Sequence, residues 1–309
     1  MKKIIKNYKI LLSFISFLLI SASCGESRHE QASIQNDSLT KSGYQILCDE
    51  SIYNMIKPII EQYQNKTKFD INFASANSFD VMKALLSGKA QAIFIARNYS
   101  QREDSLIKAY NMQPHLHTAI AKDALVFFVK IEFPLEAITH QQLLSILSNE
   151  QISLKTFYPK LKVEPDFICN NILSSEYENL KSLVLKDKPL KKQIIFKENS
   201  DSVINDVLKS GNNIGISYLS KVLSNPDIRP LQISFEDSTG AKVGPVIVHQ
   251  AYIVQGMYPY IVGINIFVLD DKDENTMKLF RYVSKHPDVQ NYFKKVGIVP
   301  TFAKIVLYE

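Results

Sequence analysis

Beyond residue 43 the chain alternates short apolar runs with longer stretches whose apolar positions recur every three or four residues. YQILC (44–48) is of ordinary strand length, and after Asp49-Glu50-Ser51 the residues Ile52, Ile56, Ile59, Ile60 and Tyr63 fall on one helical face. FDINFAS (69–75) predicts a second strand, with Asn77-Ser78 as N-cap candidates for the helical stretch FDVMKALLSG that Gly88 closes. AQAIFIA (90–96) predicts a third strand, and a helix over 99–110 opens on Ser100 with Glu103 three residues on, a capping box. Strands follow at ALVFFVK (124–130), DFIC (166–169), QIIFK (193–197), NIGISYL (213–219), IRPLQISF (228–235), VIVHQAYIV (246–254) and INIFVL (264–269). Between them the pattern predicts the helices HQQLLSILS after Thr139, EYENLKSLVLK (176–186) and SDSVINDVLKSG, and one last helix, NTMKLFRYVSKHPDVQNYFKKVG. Strands alternating with helices of about 10–15 residues form βαβ units around a mainly parallel sheet, an α/β protein.

The first 43 residues follow another pattern. Lys2, Lys3, Lys6 and Lys9 precede the 11-residue apolar run Ile10 to Ile20 and the small residues Ser21-Ala22-Ser23. This is the layout of a secretory signal over 1–23, and the run is shorter than the roughly 20 residues of a membrane span. Cys24 after the small residues resembles the bacterial lipobox, although Ser21 stands where Leu is usual; a signal cleaved by the ordinary peptidase, or a plain anchor, is the other reading. Lipidation at Cys24 would anchor the chain in a membrane through more than one acyl chain. Residues 24–42 are polar and cannot bury enough surface to offset ordering, so a flexible tether is expected.

The signal also accounts for the charge. The whole chain carries 36 Lys+Arg against 31 Asp+Glu, but four of those lysines and none of the acids lie in residues 1–23, leaving 32 against 31. The basic excess thus speaks for export and gives no footprint for nucleic acid. A hydrophobic fraction of 46% and three cysteines exclude a disordered chain and a disulfide scaffold.

No dinucleotide fingerprint, P-loop, His-Glu-x-x-His or nucleophile elbow is present, so no catalytic residue and no cofactor is assigned. His115-x-His117 reads as a surface pair, with a metal site the alternative, and no metal ligand set is assigned. Cys48 and Cys169 each end a strand, as buried thiols or as a disulfide. Polar residues recur where a strand meets a helix: Asp49-Glu50-Ser51, Asn77-Ser78, and Asn170-Asn171 with Ser174-Ser175. Clustered helix starts of this kind make an oxyanion site at the carboxyl ends of strands, while each loop alone is explained by N-capping. Among 31 Lys and five Arg, only Arg97 directly follows a strand core, where its fork serves an anion or a structural salt bridge.

Several stretches in order, ILCDES, LLSGKAQAIFIARNYSQRE, IAKDALVFFVK, ITHQQLLSIL, NIGISYLS, VHQAYIVQGMYPYIVGINIFVL and VGIVP, resemble the phosphate-binding proteins of bacterial phosphate ABC transporters, in the type II periplasmic-binding-protein superfamily and nearest their Bacteroidetes lipoprotein branch. The resemblance implies two lobes, 43–121 plus 248–309 and 122–247, with mixed, mainly parallel sheets flanked by helices and a two-segment hinge. It implies inorganic phosphate as ligand, an ABC-transporter permease as partner, a monomer, and a place in the cell envelope, on the periplasmic side or at the cell surface. Its ligand residues carry over to Asp49, Glu50, Ser51, Asn77, Ser78, Arg97, Asn170, Ser174 and Ser175. Two positions depart from the family: Gln91 stands where an acid is usual, and Asn170-Asn171-Ile-Leu-Ser174-Ser175 replaces an Arg-x-x-Ser-Gly-Thr motif. A cell-envelope lipoprotein of this fold binding another oxyanion or a protein is the alternative, and an enzyme acting on phosphate esters lacks a visible metal cluster or activated nucleophile.

Overall fold

A computed structural model describes residues 44–301 apart from residue 187; the signal segment, Cys24 and the tether lie outside the described residues. Three βα units come first: β1 (Tyr44–Asp49) with α1 (Tyr53–Thr67), β2 (Ile71–Ala76) with α2 (Ser78–Leu86), and β3 (Ala92–Ile95) with α3 (Gln101–Ala109). The strands pair in parallel in the order β2-β1-β3. The cap assignments agree with the sequence: Asn77 accepts from the Asp80 amide, and Ser100 and Glu103 close a capping box.

β4 (His117–Lys130) is twice as long as the apolar run at 124–130 predicts. Its first half is held by a distant partner, β12 (Ile261–Val268), which lies antiparallel between β3 and β4. Between β4 and β12 the chain forms β5 (Ala137–Thr139), α4 (His140–Ser148), α5 (Leu154–Phe157), β6 (Phe167–Asn170), α6 (Ser175–Asn179), β7 (Ile194–Lys197), α7 (Ser200–Ser210), β8 (Ile214–Tyr218) and α8 (Leu219–Val222). β9 (Ile228–Pro230), β10 (Gln232–Glu236), β11 (Lys242–Val246) and α9 (Gln250–Val254) complete that stretch. β8-β6-β7 are parallel, and β8 lies antiparallel on the second half of β4. The sheet is therefore parallel within each outer group and antiparallel where β4 and β12 join them.

Four further expectations change. The segment 246–254 is not one strand: His249 accepts from the Ala251 amide and starts α9. The last helix is two, α10 (Glu274–Lys285) and α11 (Pro287–Lys295), because Pro287 has no N–H to continue α10 and instead occupies the first turn of α11. The stretch 228–235 divides between β9, on β4, and β10, on β5 and β11. The helix after Ser174 widens into a π-helical segment, Leu180–Leu185. Finally, β13 (Val299–Pro300) returns to β4.

One apolar core runs through both strand groups, from Ile46, Ile60 and Phe94 to Phe127, Phe167 and Val184. A smaller core of Val81, Met82 and Leu85 packs on Ile93 and Ile95. Gly215 of β8 lies opposite buried Phe128 of β4, and a Cβ there would meet the phenyl ring at 2.2 Å. Gly215→Ala is expected to destabilise by roughly 1–3 kcal/mol through overpacking. Chemical denaturation measures this, and an unchanged midpoint would show that the ring moves without cost.

Candidate functional site

The carboxyl ends of β1, β3, β6 and β8 converge on Asp49, Ala96, Asn170 and Tyr218. Asp49 is the last residue of β1 and wholly buried. Its Oδ1 accepts from the Ser51 amide at 3.1 Å and the Ser51 hydroxyl at 2.9 Å, and its Oδ2 from the Ala96 amide at 3.3 Å. Ser51 Oγ lies 3.0 Å from Ser175 Oγ, at the start of α6. Tyr218, at the end of β8, donates to Ser175 Oγ at 2.8 Å, and Asn179 Nδ2 donates to the Tyr218 oxygen at 2.9 Å and the Ala96 carbonyl at 2.7 Å. Each hydroxyl has one proton, so the donors run in one direction: Asn179 to Tyr218, to Ser175, to Ser51, to Asp49. The chain crosses from one strand group to the other and ends on a buried carboxylate.

Arg97 makes a structural salt bridge. All five of its N–H groups are used: Nε on Ser78 Oγ (3.1 Å), Nη1 on Glu103 (2.7 Å) and the Asn98 carbonyl (2.9 Å), Nη2 on Glu103 (2.8 Å) and the Ser78 carbonyl (3.1 Å). The pair with Glu103 is bidentate and buried. Glu103 Oε2 also accepts from the Ser100 amide at 2.8 Å, so the capping box and the ion pair share one carboxylate. Ser78 donates to the Leu173 carbonyl at 3.0 Å, and the Phe79 amide does so at 3.2 Å; the loop before α6 thus occupies the start of α2. The fork is spent on the chain itself, so an anion meets it only if this cluster rearranges.

A second buried acid is Glu176, which in the sequence is one residue of a helical stretch. It accepts from Ser200 Oγ at 2.6 Å and from Asn170 Nδ2 at 3.4 Å. Burial, and then the charge of Asp49, push its carboxyl up to about 7. Burial pushes the Tyr218 hydroxyl well up, with Glu176 and Asp49 adding to it.

Other expected residues lie around this centre. Glu50 is half-buried and accepts from Asn171 Nδ2 at 2.8 Å; burial raises its carboxyl. Asn170 Oδ1 accepts from the Asn171 amide at 2.7 Å. Asn77 and Ser174 act as helix caps, on Asp80 and Tyr177 respectively. Gln91 accepts from the Gln45 amide at 2.7 Å, at the amino end of β1, so its departure from the family pattern falls away from the site. Cys48 and Cys169 are free buried thiols, pushed well up by burial. His115 bonds Tyr99, His117 stacks on Phe267, and the described residues hold no group of three or more His, Cys, Asp or Glu able to bind a metal. Beside Arg97 lies an open cleft of about 1120 Å³ between α2, α3 and the segment 172–190.

The residues that sequence reasoning missed are Glu176, Asn179, Tyr218 and the Ala96 carbonyl. Glu103 was visible as a cap but not as the partner of Arg97. Only the direct succession Ser174-Ser175-Glu176 gave a signal for Glu176.

A family model described as a PBP superfamily domain matches residues 34–280. No curated protein matches by sequence. The chain is similar in structure to an ABC-type phosphate transport receptor from Vibrio cholerae, with TM-score 0.65 and 15% identity over 82% of this chain and 98% of that one. A protein from Clostridium perfringens described as a phosphate ABC-transporter substrate-binding protein, with bound phosphate, gives 0.66 and 14% over 83% and 98%. The CcmR regulatory domain of Synechocystis PCC6803, in complex with 2-PG, gives 0.51 and 10% over 79% and 97%. The fold is that of the type II periplasmic-binding proteins, and regulatory domains share it.

Proposed function

The chain belongs to the periplasmic-binding-protein superfamily, a family of binding proteins and not enzymes, and from that premise we propose that it captures inorganic phosphate between two lobes for an ABC-transporter permease. The lobes are 43–121 with 248–309, and 122–247, anchored to the cell envelope through lipid on Cys24. The observation that carries this reading is the buried Asp49 carboxylate at the end of a one-way donor chain between the two strand groups.

Such a carboxylate accepts but cannot donate, so it selects a ligand that brings a proton. Phosphate near neutral pH carries one or two and sulfate has none. A phosphate entering between Ser51 and Ser175 donates its P–OH to Asp49. Ser51, relieved of Asp49, turns its hydroxyl to a phosphate oxygen, and Ser175 does the same while Tyr218 stays bonded to it. Insertion replaces the 3.0 Å contact between the two serines, and closure of the lobes around the anion restores the link.

Titration calorimetry on the purified, lipid-free protein is expected to show phosphate binding and sulfate weaker by at least roughly tenfold, the worth of one charge-assisted hydrogen bond. No binding at millimolar phosphate would remove this reading. The alternative, an envelope lipoprotein of this fold that takes another oxyanion or a protein, is favoured by the direct Ser51–Ser175 contact and by the complete use of the Arg97 donors.

A further inference from the structure

Asp49 and Glu176 are two wholly buried carboxyls brought together from the two strand groups, yet they are not satisfied alike. Three donors point at Asp49, two of them backbone amides. Glu176 has the Ser200 hydroxyl at 2.6 Å, a single backbone amide, its own, and one long contact to Asn170, which reaches both carboxyl oxygens only at 3.4 and 3.5 Å. The titratable groups facing Glu176 are Asp49 from β1, Tyr218 from β8 and Cys169 from β6; α7 contributes only the neutral Ser200. Arg97, after β3, is held by Glu103. Two buried negative charges with no cation against them among the described residues are unstable, and the one with fewer backbone amides aimed at it and the longer contacts takes a proton.

We infer that Glu176 is a carboxylic acid in the ligand-free protein and that the oxyanion binds together with its proton, the acid O–H donating to an oxygen of the bound anion. This rests on the phosphate reading and deepens it: Asp49 accepts the proton the ligand brings, while Glu176 supplies one the protein holds. The position of Glu176 in its titration supports this, since a carboxyl pushed up to about 7 keeps its proton through mildly acidic pH and gives it up around neutrality. An ionised Glu176 would instead face the incoming anion as a second buried negative charge beside Asp49.

The test compares the wild type with Glu176→Gln, which keeps a donor of similar shape and cannot ionise. Phosphate titrations between pH 5.5 and 8.5, each in two buffers of different ionisation heat, give affinity and proton count together; because phosphate itself titrates in this range, the difference between the two proteins is the readout. The wild type is expected to lose affinity relative to Glu176→Gln by up to tenfold per pH unit above about 7, and to take up a fraction of a proton more on binding there. Parallel affinity profiles with equal proton counts would overturn the coupling while leaving the phosphate reading intact. Absence of phosphate binding in both proteins would overturn the coupling and the phosphate reading together. Thermal unfolding of the ligand-free proteins checks the proton itself. A carboxyl raised in the folded state stabilises below its ordinary range and loses that stabilisation as pH rises through the folded value, so the wild type should fall behind Glu176→Gln from about pH 4.5 to 7. A constant gap across that window would show that Glu176 carries no proton.

Discussion

Arg97→Ala is expected to lower the free energy of unfolding by about 3–5 kcal/mol, the usual cost of removing one partner from a buried ion pair. The size follows from what stays behind. Glu103 is about as buried as Arg97, and among the described residues only the Ser100 amide would still donate to its carboxylate. Ser78 would lose the Nε donor that fixes its hydroxyl on the Leu173 carbonyl, so the start of α2 and the loop before α6 loosen together. Denaturant unfolding measures the loss, and a change below about 1 kcal/mol would contradict a buried bidentate pair. Arg97→Met combined with Glu103→Leu removes both charges while filling their volume, and should recover most of the stability. The same double variant assigns the role of Arg97 in binding. Wild-type phosphate affinity in that protein makes Arg97 a positioning residue, whereas a sharp loss in a stable protein means that the cluster opens and the fork reaches the ligand.

Asp49→Asn is expected to weaken phosphate binding by roughly 10- to 150-fold, or about 1.5–3 kcal/mol. The amide keeps the shape but replaces one acceptor oxygen by a donor. Ser51 can rotate its hydroxyl away, but its amide and that of Ala96 are fixed by the backbone, so one of them faces an NH2 group. The ligand proton then has no charged acceptor, and the preference for phosphate over sulfate should shrink with the affinity. Titration of both anions, with circular dichroism to verify the fold, decides this. An unchanged preference would remove Asp49 from the site.

Much of the fold was legible because its units are local. The β1–α1 to β3–α3 series, the Asn77 cap and the Ser100–Glu103 capping box each depend on residues within one turn or one strand. The errors fall where distant partners decide. β4 extends to His117 because β12 pairs with it, although residues 117–123 have no continuous apolar run. The segment around Gln250 is apolar enough for a strand, yet it forms α9 behind the His249 cap. Pro287 stands within a strong helical periodicity that runs on either side of it, and it divides α10 from α11.

The site divides in the same way. The sequence by itself determined which loops meet at the carboxyl ends of the strands, and it marked Asp49, Ser51, Arg97 and Ser175 as polar groups at those ends, since a strand end followed by a helix start is a local pattern. Only the tertiary structure decided which of them face one another. Arg97 and Glu103 are six residues apart, and nothing in that spacing says that the pair is buried and bidentate. Ser51 and Ser175 are 124 residues apart, and their contact exists because β4 carries both strand groups. Glu176 looks like any acid in a first helical turn until its surroundings are known. Its character comes from its burial and from the Asp49 charge beside it, properties of the packed centre that no run of residues encodes.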